Sequence, residues 1–232
     1  MESFVTVEAV DFDGPPRAVP SLVADALKTH AVLRLLPEAA QALVAEAGEV
    51  RRLDAGRRLP TAAGIAFVLS GVLAAFDRKE LAAVTLHGPN TLFGLETALA
   101  HAPAPRRLMA MTDAVWIAVP APQLLERMGS TWIEHVFARQ ALDRLERLQS
   151  QLACTAVHPV GQRAANWIRR LDALCPREIR TTQAILAEAM GVQRTSINAA
   201  VKALESEGVL RVSRGRLTVT DPLRLARLSC GC

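Results

Sequence analysis

Nowhere in the chain does an apolar run reach the length of a membrane span, and its opening residues, MESFVTVEAVDFDGPP, place no basic segment ahead of an apolar core. The sequence therefore reads as cytoplasmic, with no membrane partner. Cysteine is scarce: Cys154, Cys175, Cys230 and Cys232 are the only four, which in that compartment points to reduced thiols rather than a disulfide framework. No Ser/His/Asp arrangement, paired carboxylates, Gly-rich phosphate loop or zinc-binding spacing appears, so an enzyme is not expected. A large charge of either sign is missing too, the net charge being +4 over 232 residues.

That small charge is unevenly spread. Residues 159–232 hold 12 Lys+Arg against 6 Asp+Glu, whereas the first 158 residues are slightly acidic. The C-terminal third is thus the part that polyanionic phosphate would attract.

Residues 1–20 show little periodicity and read as an N-terminal extension. Over Ser21–Gly48 the apolar residues fall at helical spacing, with Pro37 opening a second helix. The period then shortens. Glu49–Leu53, Ile65–Leu69, Val72–Phe76, Leu81–Leu86, Leu108–Met111 and Ala114–Val119 are strand-like runs parted by turn residues, the pattern of an antiparallel sandwich or barrel. Thr91–Ala100 and Ala121–Met128 read as short helices. Residues 21–129 form one expected domain.

From Ser130 to His158 there is neither glycine nor proline, which predicts one long helix. Ala138, Ala141, Leu145, Leu148, Leu152 and Thr155 recur at intervals of 3 and 4, the seam of a two-stranded coiled coil, and predict a homodimer interface. Packing of this helix on its own barrel is the alternative, to which Leu142 outside the seam would contribute. Pro159-Val160-Gly161 breaks the helix and marks a boundary. Gln162–Cys175 then opens a C-terminal domain over residues 159–232.

Within that domain Thr181–Leu217 carries the clearest signal. Thr182–Met190 places Ile185, Leu186, Ala189 and Met190 on one helical face, with Thr181 or Thr182 as N-cap. Gly191 supplies a left-handed turn, and Ile197, Val201 and Leu204 form the apolar stripe of a second helix, Arg194–Glu207. Ala187 is small where two crossing helices come closest. Val209–Val212 and Leu217–Thr220 flank Ser213-Arg214-Gly215-Arg216, a hairpin with a basic tip. A winged helix-turn-helix follows, with Arg194, Thr195, Ser196 and Asn198 as base-reading candidates. Thr182, Gln183, Lys202, Arg211, Ser213, Arg214 and Arg216 are the candidates for phosphate contact. A plain helical hairpin with a solvated charged face is the competing reading.

Three stretches are similar to the Crp/Fnr family of bacterial transcription regulators: Ala153–Trp167, with its Arg-x-Ala-x-Trp pattern; Gly191–Ile197; and the Cys-x-Cys ending of Leu228–Cys232, like one subgroup. The resemblance implies an α+β chain with an N-terminal cyclic-nucleotide-binding-like β-roll, a long dimerisation helix and a C-terminal winged helix-turn-helix. It further implies double-stranded DNA with an inverted-repeat operator, a second copy of the chain, RNA polymerase and a small-molecule effector as partners.

The departures are specific. Members that bind cyclic AMP use Gly-Glu followed by Arg-Ser; here Gly94-Leu95 and Ala104-Pro105 fill those places, with Glu96, Arg106 and Arg107 nearby but shifted. Cyclic AMP responsiveness is not expected. A different anionic ligand at Gly94, Glu96, Arg106 and Arg107 stays open beside a reading of solvated surface arginines. Oxygen-sensing members carry an N-terminal cysteine cluster that this chain lacks. Cys230 and Cys232 offer half a metal site without a third ligand placed by sequence, so they read as a free tail. His30, His87, His101, His135 and His158 read as surface or hinge residues. Neither metal nor cofactor is expected. A ligand-receptor or interaction module with a vestigial helix-turn-helix is the alternative function.

Overall fold

Among the described residues, eight short strands between Glu49 and Pro120 build two four-stranded antiparallel sheets facing each other. The computed structural model describes residues 19–60, 64–76, 79, 81–100, 107–175 and 178–232. In the first sheet the order is β1 (Glu49–Leu53), β8 (Ala114–Pro120), β3 (Gly64–Ser70), β6 (Leu92–Phe93). In the second it is β2 (Arg58–Pro60), β7 (Arg107–Ala110), β4 (Leu73–Phe76), β5 (Ala83–His87). Leu53, Val68, Leu73, Leu108 and Trp116 fill the space between them, the interior of a β-roll.

Both sheets are also covered outside. On β3, Ala66 and Val68 point into the roll, while Ile65 and Phe67 meet a helical layer. That layer is α1 (Val19–Thr29), a 3-10 turn at Leu33–Leu35, α2 (Glu38–Ala47), α4 (Ala121–Met128) and the start of α5 (Ser130–Val157). A further helix, α3 (Leu95–Ala100), packs on β3 and α4. On β4 the alternation runs the same way. Leu73 and Ala75 face the roll, and Ala74 and Phe76 face outward into a third apolar cluster.

The third cluster joins the second sheet to the C-terminal helices. These are α6 (Val160–Leu174), α7 (Gln183–Met190), α8 (Arg194–Ser206) and α9 (Pro222–Leu228), with the hairpin β9 (Leu210–Ser213) and β10 (Arg216–Val219). Phe76, Met109 and Met111 from the roll share one buried core with Trp167, Leu186 and Ile197.

α5 behaves differently along its length. Trp132, Ile133 and Val136 pack on the first helical layer, and Trp132 Nε1 donates to the Leu35 carbonyl at 3.0 Å. Beyond them the helix exposes apolar side chains: Leu142 is 67% exposed, Leu145 54% and Leu152 73%. Leu142 is therefore not buried against the roll as its place outside the seam suggested.

Other sequence expectations shift in detail. α1 begins at Val19, inside the stretch read as an extension; the remainder of that stretch, with Ala104, Pro105, Arg106 and His101, lies outside the described residues. β2 and β6 were not expected, being two or three residues long and held by pairing with β7 and β3. α9 was missed as well; Asp221 caps it, accepting from the Arg224 N–H at 2.8 Å. The hairpin is tighter than read, for Ser213 and Arg216 pair and leave Arg214-Gly215 as the turn.

His30 is buried rather than at the surface. Its Nδ1 accepts from the Val32 and Leu33 N–H groups, both at 3.2 Å, which leaves Nε2 to donate to the Val68 carbonyl at 3.1 Å. Burial lowers its pKa, partly offset by the Val68 bond. The unfolded chain thus binds the proton more readily, so this contribution to stability is full above pH 6.5 and is lost as pH falls below it. Denaturant unfolding followed about one pH unit above and below 6.5 should show lower stability on the acid side, and His30→Gln should shrink that difference. An undiminished difference in the variant would assign the acid limb to other groups.

Candidate nucleic-acid interface

Thr182 starts the helix-turn-helix. Its backbone is extended and its Oγ1 accepts from the Ile185 N–H at 3.2 Å, so Thr182 rather than Thr181 is the cap. α7 ends at Gly191, whose φ of +63° places the next residues back along the helix. A side chain there would stand 2.8 Å from the Leu81 carbonyl oxygen and 3.0 Å from Ala82 Cβ. The turn is therefore glycine for two reasons, its conformation and the loop of the roll packed on it. Ala187 and Ile197 are buried where α7 and α8 cross.

α8 opens on Gln193, whose side chain makes no capping bond, in keeping with a poor cap. Arg194 and Thr195 are exposed on its first turn, Ser196 and Asn198 half-buried, and Lys202 exposed. Arg194, Asn198 and Lys202 recur every four residues and so share a face. Asn198 turns Oδ1 inward, where it is buried without a donor, and must rotate before both amide atoms meet a base edge.

Thr182 is exposed and Gln183 half-buried at the N-terminus of α7, where backbone N–H groups and helix dipole favour an anion. Arg211, Ser213, Arg214 and Arg216 are exposed on the wing. Arg194, Lys202, Arg211 and Arg214 have no ion-pair partner among the described residues. Arg216 differs, since its Nη1 sits 2.9 Å from Glu178, which also binds Arg180 at 3.1 Å. The hydrogen bond from Arg180, then that from Arg216, holds the Glu178 carboxyl below its ordinary pKa. Arg216 must exchange this carboxylate for any phosphate.

Of the four residues singled out for an anionic ligand, Arg106 lies outside the described residues, and Gly94, Glu96 and Arg107 do not converge on one site. Gly94 has φ +91°, and a Cβ there would lie 2.2 Å from the Gly64 carbonyl oxygen; its role is a close backbone crossing. Leu95 is fully buried in the core beneath the first helical layer. Glu96 lines a cleft of about 180 Å³ between roll and long helix, where Arg144 from α5 binds it at 2.6 Å. Arg107 points elsewhere, over the Phe76 ring and 3.6 Å from Glu188 of α7. Glu188 also pairs with Arg58 of β2, so two arginines of the roll clasp one carboxylate of the helix-turn-helix.

Sequence reading saw only half of one group, Cys230 and Cys232, and missed the other two members. At the end of α5, Cys154 and His158 lie one helical turn apart and face Cys230 and Cys232, so the tail is packed rather than free. The Sγ atoms of Cys154 and Cys230 are 3.3 Å apart, and Cys232 Sγ is 3.5 Å from His158 Nδ1. The four ligand atoms all lie within 4.8 Å of one another. The i, i+4 placement of Cys154 and His158 was the signal available; the 76 positions separating Cys154 from Cys230 hid its partner.

The chain thus combines a roll of two antiparallel sheets, a long helix and a winged helix-turn-helix whose second helix leaves Arg194 and Thr195 exposed. Comparison with known proteins makes this specific. Residues 162–228 match the Crp-like helix-turn-helix domain, and the chain as a whole has the fold of the Crp/Fnr regulators. FixK2 from Bradyrhizobium japonicum superposes with a TM-score of 0.64 at 14% identity, over 80% of this chain and 98% of that one. TTHB099, a CRP-family transcriptional regulator of Thermus thermophilus, gives 0.62 at 18%, over 77% and 96%. The c-di-GMP responsive global regulator CLP of Xanthomonas campestris gives 0.57 at 15%, over 76% and 95%. No curated protein matches the chain by sequence.

Removing the Thr182 hydroxyl tests the local architecture. Thr182→Ala should destabilise the chain by about 1 kcal/mol, seen as a lower denaturant midpoint with unchanged slope. Thr181→Ala should leave the Ile185 N–H satisfied and cost the cap nothing; equal losses in the two variants would contradict Thr182 as the cap.

Proposed function

We propose that the chain is a homodimeric, sequence-specific DNA-binding transcription regulator that does not depend on cyclic AMP and carries no catalytic activity. The observation that carries this reading is the open recognition face, where Arg194 projects from the first turn of α8 with no partner among the described residues competing for its guanidinium. Its rigid fork suits guanine O6 and N7. Thr195, Ser196 and a rotated Asn198 read neighbouring positions, while Lys202, Arg211 and Arg214 bind phosphate. Thr182, Gln183 and Ser213 add neutral donors, and Arg216 joins once released by Glu178.

Dimerisation is supported by the outer half of α5. Ala138, Ala141, Leu145 and Leu152 are exposed in the single chain and Leu148 half-buried, a stripe that water solvates poorly and a second α5 would cover. Two copies related by a two-fold axis present two recognition helices, which reads an inverted repeat with half-site centres roughly 34 Å apart.

Independence from cyclic AMP is supported by Leu95, committed to the core, and by Glu96, whose carboxylate Arg144 already holds. A reading in which the helix-turn-helix serves only packing draws on its contact with the second sheet. That contact uses buried residues such as Leu186 and Ile197 and leaves Arg194 and Thr195 exposed.

Two measurements test the proposal. Leu145→Glu should make the protein monomeric at micromolar concentration by light scattering, because burying the unpaired charge costs several kcal/mol. A variant that stays dimeric would move the interface off α5. On DNA selected from a random pool, Arg194→Ala should lose about 1–3 kcal/mol per half-site, only on duplexes that keep the contacted guanine. Arg214→Ala should weaken cognate and scrambled duplexes alike and reduce the salt slope by about one. Equal losses on both duplexes for Arg194→Ala would make that residue a phosphate contact.

A further inference from the structure

The tail and the end of the long helix meet in a way that packing alone does not require. Cys154 is buried, and His158 and Cys230 are half-buried. Cys154 stands in the last turn of α5, and His158 is the extended residue that ends the helix. Cys230 and Cys232 return to them because Gly231 between the two takes φ +69°, which folds the segment after α9 back so that both thiols face the helix. Asn166 of α6 fixes that return by donating from Nδ2 to the Cys232 carbonyl at 3.0 Å.

We infer that Cys154, His158, Cys230 and Cys232 form a structural zinc site. Three sulfurs and one imidazole are a ligand set of closed, tetrahedral zinc centres. With Zn–S near 2.3 Å and Zn–N near 2.0–2.1 Å, tetrahedral angles put ligand atoms roughly 3.5–3.8 Å from one another. The observed 3.5 Å between Cys232 Sγ and His158 Nδ1 falls in that range, the 3.3 Å between Cys154 and Cys230 just below it, and no pair exceeds 4.8 Å. An iron–sulfur cluster holds its thiolates farther apart around several atoms, so this spacing selects a single ion.

The surroundings carry charge of both signs. Three thiolates around one divalent cation leave the centre at minus one. Cys154 and Cys232 line a cleft that also carries Arg147 and Arg170 together with Asp143 and Glu146, so two guanidinium groups and two carboxylates share the space beside it. Binding displaces the three thiol protons to solvent and forms three Zn–S bonds and one Zn–N bond, with no change of oxidation state. Zinc would then tie the end of the long helix to the segment after α9, closing the C-terminal unit onto α5 across the break at Pro159. This site does not rest on the DNA-binding proposal.

The test uses the full-length reduced protein. Elemental analysis after dialysis should find about one zinc per chain. Replacement by cobalt should give thiolate-to-metal charge transfer in the near ultraviolet and the strong visible bands of tetrahedral coordination. Cys154→Ser and Cys230→Ser should each lower retained metal by about tenfold or more, whereas His135→Ala, an exposed residue elsewhere on α5, should keep it. Since a variant can lose metal by misfolding, the cobalt spectrum of the unaltered chain decides alone. Absence of tetrahedral bands, a spectrum without thiolate charge transfer, or a Cys154–Cys230 disulfide by mass in the freshly isolated protein would each overturn the assignment.

Discussion

The second sheet has two apolar faces, and everything around it follows from having to cover both. Leu73 and Leu108 close the roll from one side; Phe76, Met109 and Met111 on the other would meet water if the C-terminal helices were absent. Burying each large side chain is worth about 1.5–3 kcal/mol, so this face holds the winged helix-turn-helix more firmly than its ion pairs do. Rearrangement of the C-terminal unit is consequently restricted to sliding over the sheet, because lifting it away exposes the whole patch.

The polar contacts across the same boundary act as guides. Glu188 is shared by Arg58 and Arg107, and the Arg58 pair is solvent-accessible on both sides. Such exposed pairs contribute little energy and weaken with salt. Their position is what matters: Glu188 lies one turn before Gly191, so they tie the end of α7 to the roll. Glu178 serves the wing similarly through Arg180 and Arg216.

Much of this was legible in sequence, and the reasons are local. The α4 bounds, the β1 bounds and the start of α5 follow from periodicity, proline and glycine, which act over one or two turns. The helix-turn-helix was legible because Ala187, Gly191 and Ile197 each answer a steric demand made within ten residues. What escaped depends on distant partners. β2 and β6 exist only through pairing, and His30 is buried by a carbonyl 38 residues away. The thiol cluster draws ligands from α5 and from beyond α9, and no spacing rule spans that interval. Arg107 was drawn toward a ligand role by its sequence neighbourhood, whereas strand β7 places it over Phe76 and beside Glu188, apart from the cleft that Glu96 lines.

β4 carries one more consequence. A strand with a wet face is held in register because slipping by one residue drives its apolar side chains into water. All four residues of β4 are buried, so that safeguard is missing. A slip would exchange Leu73 and Ala75 for Ala74 and Phe76, trading apolar for apolar. Volume must arbitrate instead: the roll accepts a leucine and an alanine, and the outer core requires the phenylalanine ring beneath Arg107. Gly71 anchors the choice from the other end, since its φ of +75° and the Asp113 carbonyl, 2.0 Å from where a Cβ would stand, admit no other residue at the entry to the strand. Shape, and not hydropathy, keeps this strand in place.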